Sequence, residues 1–259
     1  MTRLAANLTM LFNEHPFLDR FEAAAKAGFR GVEFLSPYSY HVDQLADRLN
    51  SNQLELVLHN VPSGDWDAGE RGIACHPGRV SEFREGVDEA IRYAQALGVK
   101  QVNCLAGIVP PGVHREAAHE TMASNLTFAA AKLKEAGIRL LIEPVNTFDI
   151  PGFFLSHTAQ ALALIEDTGS DNIFLQYDIY HMQRMEGELL KTIEANLPSI
   201  RHIQLADNPG RFEPGTGEIN YREVLARLDA MGYDGWVGCK YKPKAGTVEG
   251  LGWRAAHGV

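Results

Sequence analysis

Residues 139–146 read Arg139-Leu140-Leu141-Ile142-Glu143-Pro144-Val145-Asn146: three aliphatic side chains in a row, then a carboxylate, then a proline. An apolar run without polar alternation is the pattern of a strand buried on both faces, as in a parallel sheet. Pro144 has no N–H to give to a ladder, so the strand ends there. Glu143 is thereby placed at the carboxyl end of a buried strand, where open sheets and barrels gather their chemistry. The plain alternative is a strand-end carboxylate that salt-bridges a neighbour.

The same strand-then-helix unit recurs on both sides of this stretch. Upstream, strands are expected at residues 4–7, 31–35, 54–60 and 102–107, with helices over about 16–28, 42–52, 80–97 and 115–136. Downstream, strands are expected at 173–178, 200–205 and 235–241, with helices over about 158–168, 187–197, 221–231 and 248–256. Prolines open and glycines close several of these helices, as at Pro16 and Gly28, and at Gly98 and Gly137. Eight such units with no linker or composition break point to one α/β domain over residues 1–259, a closed (β/α)8 TIM barrel with its site at the carboxyl ends of the strands. A doubly wound open sheet competes, but no glycine-rich phosphate turn follows the first strand.

Composition narrows the function. The chain has 24 basic and 33 acidic residues and a formal charge of −9, which argues against a nucleic-acid partner. No apolar run approaches the roughly 18–20 residues of a membrane span, so no membrane partner is expected. The start, Met1-Thr2-Arg3-Leu4, lacks a secretory apolar region, and Cys75, Cys104 and Cys239 are too widely spaced for a disulfide framework or a zinc site. The expected location is cytoplasmic, the expected partner a small molecule, and a homo-oligomer stays open.

In a barrel the strand ends converge on one mouth. Read in turn they are Asn7, Glu33, His59, Asn103, Glu143, Asp178, Gln204 and Lys240. Two carboxylates, Glu143 and Asp178, with the amide oxygen of Gln204 form an oxygen-rich set that suits a hard divalent ion such as Mg²⁺ or Mn²⁺. The same groups could instead make a hydrogen-bond network across the barrel top. His181, three residues past Asp178, reaches the mouth if the chain turns helical there. His59 and His202 lie in apolar strands and read as structural histidines, with His59 also a candidate substrate contact. Arg71 and Arg211 are candidates to fork onto a substrate carboxylate. The cysteines have no base at motif spacing, so nucleophilic catalysis is not expected.

Longer stretches carry a resemblance. These are Asn7-Leu8-Thr9-Met10-Leu11-Phe12, Leu58-His59-Asn60, Ala68-Gly69-Glu70-Arg71-Gly72, Ile142-Glu143-Pro144, Tyr177-Asp178-Ile179-Tyr180-His181, the run from Glu213 to Tyr221, and Trp236-Val237-Gly238-Cys239. Nearly end to end, the chain resembles the hydroxypyruvate isomerases within the xylose-isomerase-like family of barrel sugar isomerases and epimerases. The resemblance implies interconversion of hydroxypyruvate and 2-hydroxy-3-oxopropanoate through an enediolate. It also implies a divalent metal held by Glu143, Asp178, Gln204 and a glutamate on the eighth strand, with Glu143 and that glutamate handling protons. Related readings are an isomerase or epimerase of a sugar acid such as a 2-oxo-tetronate, a sugar-acid binding variant without turnover, and a barrel phosphodiesterase. The acidic charge and the lack of a multi-histidine cluster weigh against the last.

The departure from the family lies at that glutamate. The family motif Gly-Cys-Glu-Tyr-Lys-Pro reads here Gly238-Cys239-Lys240-Tyr241-Lys242-Pro243. Two glutamates, an aspartate and a divalent ion carry the same net charge as Glu143, Asp178 and Lys240 with no ion. An ammonium about 4 Å from a divalent ion would be repelled by roughly 8 kcal/mol at an effective dielectric near 20. The sequence therefore predicts that Lys240 weakens metal binding and impairs isomerisation, with a neutral Lys240 acting as a base as the lesser alternative.

Overall fold

In a computed structural model that describes residues 2–258, eight parallel strands close into a barrel with the first paired to the last. The strands are β1 Arg3–Asn7, β2 Gly31–Glu33, β3 Glu55–Asn60, β4 Gln101–Cys104, β5 Arg139–Ile142, β6 Ile173–Asp178, β7 Ile200–Leu205 and β8 Trp236–Cys239. Helices α1 Arg20–Lys26, α2 Val42–Ser51, α3 Val80–Leu97, α4 Arg115–Glu135 and α5 Thr158–Thr168 follow the first five strands. After β6 come α6 Ile179–Met185 and α7 Leu189–Asn196, after β7 comes α8 Tyr221–Ala230, and after β8 come the short α9 Thr247–Gly250 and α10 Trp253–His257. The expected fold is the observed one.

Several boundaries differ from expectation: β2 and β4 stop earlier, at Glu33 and Cys104, α1 is shorter, and three further differences shape the C-terminal half. A helix starts directly after β6, because the Asp178 carboxylate caps it by accepting from the N–H groups of Tyr180 (3.0 Å) and His181 (3.3 Å). Strand β8 stops at Cys239, so Lys240 is the first residue beyond the ladder, although its N–H still bonds to the Leu205 carbonyl at 3.0 Å. The last helix is broken between Gly250 and Trp253 rather than continuous.

Period-two alternation sorts the strands between the helical layer and the barrel interior, except at Val57-Leu58, where the register of β3 against β2 shifts. Leu140 and Ile142 join the large core under the helices, whereas Leu141 packs inside the barrel with Ala5, Val57 and Leu58, against Phe174 and Trp236. Above this apolar floor the inward positions turn polar: Asn7, Glu33, Gln176, Asp178, His202 and Gln204 are all essentially buried. Two inward glycines make room for large neighbours. A Cβ on Gly31 would lie 2.7 Å from the Trp236 ring, and one on Gly238 would collide with the Glu33 carboxylate. Small opposite large is how a narrow barrel is filled.

Candidate active site

At the mouth, Lys240 is at the centre of the polar groups. Its Nζ donates to Glu143 Oε1 at 2.6 Å and to Gln204 Oε1 at 2.8 Å, and lies 3.3 Å from Asp178 Oδ2. Glu143 leaves β5 on the same inward parity as Leu141, and its other oxygen accepts from Asn103 Nδ2 at 3.2 Å. A second tier fixes Gln204: its Nε2 donates to Glu33 Oε1 at 2.7 Å, which turns its Oε1 toward Lys240 and toward Gln176 Nε2 at 2.8 Å. Glu33 is held in turn by Asn7 Nδ2 at 2.8 Å and His202 Nε2 at 2.5 Å. These contacts leave little choice of rotamer, so the amide presents oxygen to the ammonium.

His181 closes the other side. The backbone N–H of Asn146 points at His181 Nδ1 from 3.4 Å, and Asn146 Nδ2 lies 2.6 Å from it. Asn146 Oδ1 is engaged by the Asp149 N–H at 2.8 Å, which fixes the amide with its nitrogen toward the histidine. Nδ1 thus faces two donors of Asn146. Nε2 faces Asp178 Oδ2 at 3.5 Å and Glu143 Oε1 at 3.9 Å. The Arg211 guanidinium is 3.4 Å from the same nitrogen, 3.4 Å from Asp149 Oδ2, and stacks 5.1 Å from the Tyr180 ring centre.

Electrostatics separates the two carboxylates. Burial would raise Asp178, but His181, Lys240, Arg211 and the His181 N–H outweigh it and hold the carboxyl at about 2. Burial raises Glu143, Asp178 adds to that, and Lys240 and Arg211 only partly oppose it. Burial would lower Lys240, but the two carboxylates prevail and its pKa is raised. These directions agree: one ammonium serves two acids, Asp178 keeps its charge, and Glu143 is the member that takes a proton more readily. Burial pushes His181 well below its usual range, against the pull of Asp178. A carboxylate pair split in this way marks the more basic member as the proton carrier.

Glu143, Asp178 and His181 each offer a ligand atom, all within 4.8 Å of one another, a grouping able to hold a metal ion. One arrangement counts against an ion there. Lys240 Nζ already lies within 3.3 Å of an oxygen of each of Glu143, Asp178 and Gln204, the three ligands the resemblance assigns to the metal. The residues present do not fit a divalent ion while Lys240 occupies that place.

Of the residues singled out in the sequence, Glu143, Asp178, Gln204, Lys240, His181 and Arg211 converge on one mouth. Arg71 is held within its own loop: its Nη1 donates to the carbonyls of Trp66 (2.9 Å) and Glu70 (2.7 Å), and its guanidinium stacks 4.0 Å over Trp66. His59 is fully buried, with Nδ1 against the Asn60 carbonyl at 3.0 Å and Nε2 without a partner among the described residues. Sequence reasoning gave no role to Asn146, Gln176 or Tyr180. Gln176 was legible as the inward residue two before Asp178, whereas Asn146 lies in a loop with no periodicity to place it.

Comparison with known proteins places this architecture. A family model described as xylose isomerase-like TIM barrel matches residues 21–257, and the chain belongs to that family. It is similar to the Escherichia coli protein named hydroxypyruvate isomerase, at 58% identity over 253 residues covering 98% of each chain. A Cupriavidus necator protein named 2-oxo-tetronate isomerase is 45% identical over 253 residues, covering 98% of this chain and 97% of its own. Among solved structures, one described as an AP endonuclease, family 2, from Brucella melitensis superposes with a TM-score of 0.96 at 46% identity, covering 99% of both chains.

Proposed function

We propose that this chain is an isomerase that interconverts hydroxypyruvate and 2-hydroxy-3-oxopropanoate by proton transfer through an enediolate. The observation that carries the reading is Glu143, a buried carboxylate at the barrel mouth whose pKa burial raises, 2.6 Å from Lys240 Nζ and beside Asp178. Such a base takes the proton from the hydroxymethyl carbon and returns it to the neighbouring carbonyl carbon, while the hydroxyl proton moves between the two oxygens. The positive groups around the mouth, Lys240 and Arg211, favour the charge that develops on those oxygens. Arg211 serves as the anchor for the substrate carboxylate, since its Nε is buried without a protein partner among the described residues. The E. coli relative supports the choice of substrate, and the relatives named 2-oxo-tetronate isomerase make a longer 2-oxo acid the first competitor to assay.

A nuclease reading, suggested by the description of the Brucella structure, is disfavoured by the formal charge of −9. The mouth also offers a single cluster of metal-type ligands among the described residues, where such nucleases need several metals.

The test is turnover in D₂O. Proton transfer through Glu143 leaves solvent deuterium on carbon in the product, and Glu143→Gln lowers kcat by about 10²–10⁴-fold with KM little changed. Turnover with no deuterium on carbon would rule out the carboxylate route in favour of a hydride shift. An undiminished Glu143→Gln rate would remove Glu143 from the mechanism.

A further inference from the structure

We propose that the Lys240 ammonium fills the cation position of this site, so that the chain takes no divalent ion between Glu143 and Asp178 and works without one. The part concerning catalysis rests on the isomerase reading above; the part concerning binding does not.

The ammonium donates to Glu143 Oε1 at 2.6 Å and to Gln204 Oε1 at 2.8 Å, and lies 3.3 Å from Asp178 Oδ2 as an ion pair. An ion placed among those oxygens would have to take over the same donors. The lysine side chain is only 6% exposed, so displacement would leave its charge in the same enclosed mouth, beside the ion that displaced it. The tier below is built for this arrangement: Glu33, pinned by Asn7 and His202, orients the Gln204 amide with its oxygen toward the ammonium. Glu143 Oε1 and Gln204 Oε1 are thus committed to a monovalent organic cation, which also faces Asp178 Oδ2. The ammonium supplies positive charge beside the carbon acid without offering an open coordination position.

The experiment titrates Mn²⁺ into the full chain after chelator treatment, followed by calorimetry and by the Mn²⁺ spin-resonance signal, for the parent protein and for Lys240→Glu and Lys240→Gln. The parent is expected to show no saturable site at micromolar Mn²⁺. Lys240→Glu is expected to bind stoichiometrically and at least roughly a hundredfold more tightly. Lys240→Gln, which removes the charge without adding a carboxylate, should fall between and answers the question if Lys240→Glu fails to fold. Saturable binding by the parent as tight as in the variants would overturn the proposal. In parallel, hydroxypyruvate turnover by the parent should be unchanged by chelation; loss on chelation with recovery on Mn²⁺ would likewise overturn it. If no variant turns over hydroxypyruvate with or without Mn²⁺, the isomerase reading fails while the Mn²⁺ titration still decides the cation position.

Discussion

Replacing Lys240 by Met removes the ammonium while keeping most of the side-chain volume. Glu143 and Asp178, each about 1% exposed, then lose the cation that lies 2.6 and 3.3 Å from them. Breaking a buried pair from one side costs about 3–5 kcal/mol, because a charge is left without compensation. Proton uptake sets a ceiling on that loss. Asp178 still has Arg211 nearby, so Glu143 is the group that protonates. Holding a proton on a carboxyl at pH 7 against an unfolded value near ~4.3 costs about 4 kcal/mol at ~1.4 kcal/mol per unit. The same arithmetic gives about 1 kcal/mol at pH 5. The variant is therefore expected to melt about 8–15 °C below the parent at pH 7, at about 2–4 °C per kcal/mol for a chain of this size, and only a few degrees below it at pH 5. Thermal melts followed by far-ultraviolet dichroism at both pH values, with chelator present, measure the gap. A gap at pH 7 no larger than at pH 5 would refute the argument that Lys240 neutralises a buried acid pair.

Two further outcomes follow from the same geometry. Arg211→Lys keeps the charge but loses the planar fork, so KM for hydroxypyruvate should rise by about tenfold with a smaller change in kcat, and steady-state kinetics showing only a kcat loss would point away from substrate anchoring. His59 is pushed down to about 4 by burial, so the folded state holds it neutral where the unfolded chain takes up a proton. Its contribution to stability is present above the unfolded value near ~6.5 and lost as pH falls toward about 4, on the order of 3 kcal/mol in all. Urea midpoints across that range should fall more steeply for the parent than for His59→Gln, and parallel curves would sink the assignment.

The barrel was legible in the chain because its physics is local. Buried parallel strands need unbroken apolar runs such as Leu140–Ile142, and Pro144 and the helix-closing glycines mark where each element stops. The inward set was largely legible too, since period two carries Leu141 to Glu143, and Gln204 to the same mouth as Asp178. Local signals were weaker in the loops. The capping of α6 by Asp178 and the retention of Arg71 by Trp66 and Glu70 depend on side-chain hydrogen bonds that no periodicity announces.

By itself the sequence determined the fold, the strand-end carboxylates and the presence of a lysine among them. Only the closed barrel decided what that lysine does. Lys240 and Glu143 are 97 residues apart, and their 2.6 Å contact exists because β8 and β5 deliver their ends to one mouth. The protonation preference of each acid is equally a tertiary property, set by enclosure and by charges brought from β5, β6 and the segments after them. Coulomb interactions depend on distance through space and on exclusion of water, and neither is written in the order of the residues.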